Sequence, residues 1–272
     1  MTDEPTGFPE LNEVLRQLVS AAREAVSENF CGAYLQGSFA VGDADVYSDV
    51  DFMVVTHDEI GTEQTRAIAA RHTQVHAGPI PWAQHLEGSY VEKAAVRRVD
   101  PTHAGWIYFD NGSTRLERSD HDNNAVTRWT LREHGVVLAG PDPKTLVDPV
   151  SAEVLRTEVL ATIRDWAVDL RADPDGMDNA WRQPHVVLSY CRTLHTLAVG
   201  RVTSKPDAGR WALSHLDARW NPLIQQALDD RPDPWLRVHR RAHPGTVDAT
   251  WAFIDDVLLL ADAFESEAAN AS

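Results

Sequence analysis

Residues 141–151 read Pro-Asp-Pro-Lys-Thr-Leu-Val-Asp-Pro-Val-Ser, and the apolar pattern changes from one side of this stretch to the other. Upstream, apolar runs of strand length at 31–36, 49–56, 85–91 and 136–138 alternate with helical patterns at 10–29, 59–76 and 125–133. Downstream the strand-length runs stop. Apolar residues there recur only at helical spacing, in the helix capped by Ser151 and at 185–199, 207–216, 221–228 and 247–265. Strands must pair with one another, whereas a helix buries a single stripe, so the two halves build different layers. The proline-rich stretch between them has the composition of a domain linker. The expectation is an α+β chain: a mixed-sheet domain over 1–147 and an α-helical bundle over 148–272.

Composition narrows the chemistry. The 272 residues are 43% hydrophobic and 24% charged, as in an ordinary globular protein. No run approaches the roughly 18–20 apolar residues that span a bilayer, so no membrane span is expected. The acidic start, MTDEPTGFPE, lacks an apolar signal core, which predicts a cytoplasmic protein. Cys31 and Cys191 lie inside apolar patterns and are expected as reduced core residues. His72 and His76 share a helix face, but no third ligand stands nearby to complete a zinc site. A formal charge of −16 argues against a nucleic-acid surface and suits a cationic small molecule. Nothing in the sequence sets an oligomeric state; a monomer suffices.

The chemistry-bearing stretch is CGAYLQGSFAVGDADVYSDVDFMVVTH, Cys31 to His57. An apolar run leads into Gly37-Ser38, a polar loop follows, and Asp49-Val50-Asp51 opens the next run. Side chains alternate along a strand, so Asp49 and Asp51 project from one face. Two carboxylates that close repel unless a cation lies between them, and oxygen-only ligation suits Mg²⁺. Gly37 and Ser38, in a turn after a strand, offer backbone N–H groups and a hydroxyl to a phosphate. Glu87, in the third strand, is a third acid; Glu92 competes for that place from the strand's other end. Walker A and G-x-G-x-x-G patterns are absent.

Gly37-Ser38, Asp49-x-Asp51 and Glu87 together resemble the nucleotidyltransferase superfamily that includes DNA polymerase β. In the second half, RTLHTLAVGRVTSKPDAGRWALSHL resembles the helical C-terminal domain of the aminoglycoside nucleotidyltransferases that adenylylate streptomycin and spectinomycin. REHGVVLAGPDPKTLVDPV looks like that family's interdomain link. The resemblance implies a polymerase-β-like sheet domain followed by a helical domain that helps hold the nucleotide, with the site in the cleft between them. It implies Mg²⁺ bound by Asp49, Asp51 and Glu87, with Glu87 also acting as general base. It places ATP as co-substrate on Gly37, Ser38, Arg192 and Lys205. The acceptor segments are 110–124 and 179–185, from which Asp122, Trp181 and His185 are the candidate substrate contacts.

The chain departs from the family at two places. Residues 119–123 contain no tryptophan, and Arg182 stands where the family carries an aspartate facing the drug. The implied reaction is transfer of AMP to a hydroxyl of an aminoglycoside-type molecule, with streptomycin disfavoured. Two other readings stay open: an adenylyltransferase with a different acceptor, such as a protein side chain or a biosynthetic intermediate, and a non-catalytic, antitoxin-like homologue.

Overall fold

The computed structural model describes residues 4–103, 105–232 and 234–270. The chain divides into two compact units, Met1–Val150 and Ser151–Ser272.

The first unit is built on strands β1 (Phe30–Leu35), β2 (Val50–Thr56), β3 (Leu86–Glu92), β4 (Trp106–Phe109), β5 (Leu116–Ser119) and β6 (Val136–Ala139). They form one sheet in the order β5-β4-β3-β2-β1-β6. Only β2 and β3 run parallel; the other neighbours are antiparallel, so the sheet is mixed. Helices in this unit are α1 (Pro9–Val26), α2 (Gly37–Ala40), α3 (Thr62–His76), α4 (Lys93–Val96) and α5 (Ala125–His134). Helix α3 makes the crossover that a parallel β2–β3 pair requires.

Residues 52–55 of β2 are all buried because both faces of the sheet are covered. On one face Phe52, Val54 and Tyr90 pack with the α1 stripe of Leu11, Val14, Leu15, Leu18 and Ala22. On the other, Tyr34, Met53, Val55 and Trp106 pack with Leu131 of α5 and with Leu146 and Val147. His72 stacks on Phe109 in the first layer, ring centroids 3.7 Å apart. The Asp110–Gly112 turn joins β4 to β5 as expected of a hairpin.

The second unit is helical: α6 (Ala152–Ala172), α7 (Arg182–Val199), α8 (Lys205–His215), α9 (Asn221–Asp229), the short α10 (Pro234–Arg237) and α11 (Thr246–Asn270). Helix α7 is buried almost all round, with Val186, Val187, Leu188, Tyr190, Cys191, Leu194 and Leu197 inside, as befits a central helix. Ser151 caps α6 by accepting from the Val154 N–H at 3.2 Å. Gln183 Nε2 donates to Thr250 Oγ1 at 2.8 Å and ties α7 to α11 through a buried bond.

Several local expectations shift by one to three residues. Gly37-Ser38 is the start of the one-turn helix α2, not a simple turn. Strand β2 begins at Val50, leaving Asp49 just outside it, and His85 closes a 3₁₀ turn before β3. Helix α7 starts at Arg182 and α8 at Lys205, each a few residues earlier than expected. Ser204 causes the second shift: its hydroxyl accepts from the Asp207 N–H at 3.1 Å, and Pro206 tolerates the first turn.

Candidate active site

The parallel register pairs Asp51 with Glu87 across β2 and β3, so both side chains leave the same face at the same level. Asp49 joins them from just outside the strand. One carboxylate oxygen from each of Asp49, Asp51 and Glu87 lies within 4.8 Å of the other two. Such a set of like charges is tolerable when a cation or a proton offsets it. Burial, with a smaller contribution from Asp49, pushes the Glu87 carboxyl up to about 7, against the lowering pull of a hydrogen bond from Tyr108. Glu92 lies at the far end of β3, where it pairs with His103 at 3.0 Å. The third acid of the cluster is therefore Glu87.

Gly37 fits against this cluster as only glycine can. Its φ is +57°, and a Cβ there would stand 1.8 Å from Asp51 Oδ2. The Gln36 N–H donates to the Asp51 carbonyl at 2.9 Å, which locks α2 to the start of β2. Among the described residues Ser38 Oγ is buried without a hydrogen-bond partner.

Asp122, expected among the acceptor contacts, is instead buried at 6% exposure. Ser89 Oγ donates to one of its oxygens at 2.6 Å and Gln36 Nε2 to the other at 3.3 Å. It thus braces the neighbours of Glu87 and Gly37. Burial holds its carboxyl above the usual range, opposed by those two bonds and by His121 and Arg128.

In the second unit, Arg192, Lys205, His185 and Trp181 come together. Lys205 Nζ lies 3.2 Å from His185 Nδ1. Trp181 stacks on the His185 ring with centroids 5.1 Å apart, and Trp166 meets it edge-on at 5.9 Å. Burial, then Lys205, then Arg192 hold the His185 imidazole well below its ordinary value. Arg182 pairs with Asp173 at 2.5 Å, and Arg241 with Asp178 at 2.6 Å.

Comparison with known proteins agrees with this fold. Residues 145–234 match the family model described as aminoglycoside adenylyltransferase, C-terminal domain. The chain is 19% identical over 245 residues to a spectinomycin 9-adenylyltransferase of Campylobacter jejuni, covering 86% of this chain and 92% of that one. It is 24% identical over 238 residues to an aminoglycoside (3'') (9) adenylyltransferase of Shigella flexneri, covering 80% and 84%. Its fold matches the crystal structure of a spectinomycin adenyltransferase from Enterococcus faecialis with ATP and spectinomycin. That match has a TM-score of 0.66 and 13% identity, over 90% of this chain and 98% of the other. The chain is an aminoglycoside adenylyltransferase-like nucleotidyltransferase.

Two neighbours of Glu87 in this nucleotidyltransferase escape a reading of the sequence. The Tyr108 hydroxyl donates to Glu87 Oε1 at 2.5 Å, and His121 Nε2 lies 3.6 Å from the same oxygen. Tyr108 faces Glu87 because β4 pairs with β3 in the register that sets Ser89 opposite Tyr108. The continuous apolar run Trp106-Ile107-Tyr108-Phe109 has the length and residue types of a strand, but nothing local names its partner or its register.

Proposed function

We propose that this nucleotidyltransferase moves AMP from ATP to a hydroxyl of an aminoglycoside-type small molecule in a Mg²⁺-dependent reaction, releasing pyrophosphate. The observation that carries the reading is the convergence of Asp49, Asp51 and Glu87 beside the Gly37–Ser38 helix start. Similarity to adenylyltransferases named for spectinomycin and for aminoglycosides supports the acceptor class.

The donor set fits Mg²⁺: three carboxylates offer oxygen ligands alone, within 4.8 Å of one another. Asp49, Asp51 and Glu87 would hold the ion, which when bound supplies charge neutralisation for the triphosphate. The rest falls to the chain's own groups. Ser38 Oγ and the N–H groups that open α2 bind phosphate oxygens. Arg192 and Lys205 add positive charge against the triphosphate, which favours the in-line displacement at the α-phosphorus. Glu87 accepts the proton of the attacking hydroxyl, a role a carboxylate beside the acceptor can fill. Tyr108 keeps Glu87 oriented while it does so.

Among acceptors, spectinomycin is expected ahead of streptomycin. Arg182 is held in an ion pair with Asp173, so the start of α7 offers no uncompensated acid there to draw in a polycation.

The test incubates the protein with Mg²⁺ and each of four nucleoside triphosphates across a panel of aminoglycosides and scores pyrophosphate release. Release with ATP that depends on an aminocyclitol or aminoglycoside acceptor supports the proposal. ATP binding without turnover on any panel member would sink it, and would favour the non-catalytic reading.

A further inference from the structure

We propose that His185 is a positioning residue for Lys205, accepting the ammonium at Nδ1 so that its charge is held in place for the nucleotide. This rests on the reading of Lys205 as a phosphate contact.

A lysine head group sits on four freely rotating bonds, and fixing it costs up to about 2 kcal/mol of side-chain entropy. Placing Lys205 at the first position of α8, behind the Ser204 cap, fixes where its stem begins. The far end is met by His185, one turn into α7, with Nδ1 at 3.2 Å from Nζ. The imidazole itself cannot swing away. Trp181 covers one face at 5.1 Å and 27°, and Trp166 packs edge-on at 5.9 Å and 88°. Trp166 in turn stacks on Tyr190 at 5.4 Å, and the Tyr190 hydroxyl donates to the Ile163 carbonyl at 3.3 Å. A chain of ring contacts therefore runs from the body of α6 to the nitrogen that faces Lys205.

The choice of histidine has a chemical reason. A carboxylate at this place would hold Lys205 too, but would cancel the charge meant for phosphate. A neutral imidazole takes one of the three ammonium N–H groups and adds no opposing charge of its own. An ammonium only donates, so Nδ1 must present its lone pair and the ring proton must sit on Nε2. Burial and the nearby cations Lys205 and Arg192 favour that neutral form. His185, expected from sequence as an acceptor contact, thus already has one ring nitrogen committed within the protein. Trp181 has a face committed to the same ring.

The test compares MgATP binding by calorimetry in wild type, His185→Phe, His185→Asn, Lys205→Ala and the His185→Phe/Lys205→Ala double variant. Phenylalanine keeps a ring between the tryptophans and lacks the acceptor; asparagine sets an amide oxygen near the Nδ1 position. His185→Phe is expected to raise Kd about tenfold, as loss of one charge-assisted hydrogen bond does. The double variant should bind no more weakly than Lys205→Ala, and His185→Asn should stay within about threefold of wild type. A wild-type Kd for His185→Phe, or a double variant whose loss is the product of the two single losses, overturns the positioning role and leaves Lys205 as a nucleotide contact. A wild-type Kd for Lys205→Ala overturns that contact and the positioning role with it. Nitrogen-15 NMR of the wild-type protein at pH 7.5 gives a check that needs no variant. A neutral Nε2–H tautomer at His185 is expected, and an Nδ1–H tautomer or an imidazolium overturns the proposal.

Discussion

The Tyr108 hydroxyl donates a 2.5 Å hydrogen bond to Glu87 Oε1, joining β4 to the acidic cluster on β3 and leaving Oε2 of that carboxylate outside the bond. A buried carboxylate held by one short donor has a fixed orientation, whatever else binds it. Tyr108→Phe removes the donor and keeps the ring. Turnover is expected to fall about tenfold to a hundredfold, the span given by one hydrogen bond to a charged group. The KM for ATP should stay within about twofold, because the proposed phosphate contacts lie elsewhere. Steady-state kinetics of the full chain check both numbers.

Asp49→Asn and Glu87→Gln separate two functions of the same cluster. Each relieves repulsion among carboxylates within 4.8 Å, so thermal midpoints of the metal-free variants should match or exceed wild type. Asp49→Asn is expected to abolish transfer. Glu87→Gln should still bind ATP and lose turnover. Full activity in Asp49→Asn would remove the carboxylate cluster from the mechanism.

Gly37→Ala tests the contact between α2 and Asp51. The new Cβ would occupy a left-handed φ of +57° and the space of Asp51 Oδ2. A loss of about 1–3 kcal/mol in unfolding free energy is expected, from the strained backbone and the displaced carboxylate. Divalent-ion binding, followed by calorimetry, should weaken in the same variant. A midpoint and an ion affinity equal to wild type would contradict the packing described.

His72 makes stability depend on pH in a defined window. It is buried against Phe109, and burial, with some help from His76, pushes its pKa down to about 4, against a smaller opposing contribution from the Ser113 backbone. In the unfolded chain it titrates near the ordinary 6.5. Below that value the unfolded state takes up a proton that the folded state refuses. Its contribution is thus fully present above about pH 6.5 and drains away as pH falls toward about 4. Between pH 7.5 and 4.5 the loss amounts to about 2–3 kcal/mol. In urea titrations at those two pH values, His72→Leu should gain that much on wild type at the acid end. Parallel losses in the two proteins would exclude the effect.

Much of this molecule can be read locally. The apolar strand run after Asp51, the α1 stripe of Leu11, Val14, Leu15 and Leu18, the Ser151 cap and the loss of strands beyond 151 each depend on residues a few positions apart. Periods of 2 and 3.6, and the reach of a capping hydroxyl, are properties of a short segment, so a sequence displays them directly. Small misreadings are local as well: the capping power of Ser204 was enough to move Lys205 from a loop onto a helix end.

What the sequence leaves open concerns partners far apart along the chain. Asp51 meets Glu87 only because β2 and β3 pair in parallel in one register, and Tyr108 reaches Glu87 only because β4 pairs on the other side. A slip of one residue would send either side chain to the opposite face. Asp122 looked like a loop acid available to a ligand, but packing buried it between Ser89 and Gln36. His185 and Lys205, 20 residues apart on different helices, carry no pattern that announces their bond. The residue types that do the chemistry are therefore written in short segments, whereas which of them touch is set by strand register and helix packing, whose free energy comes from contacts across the whole of each unit.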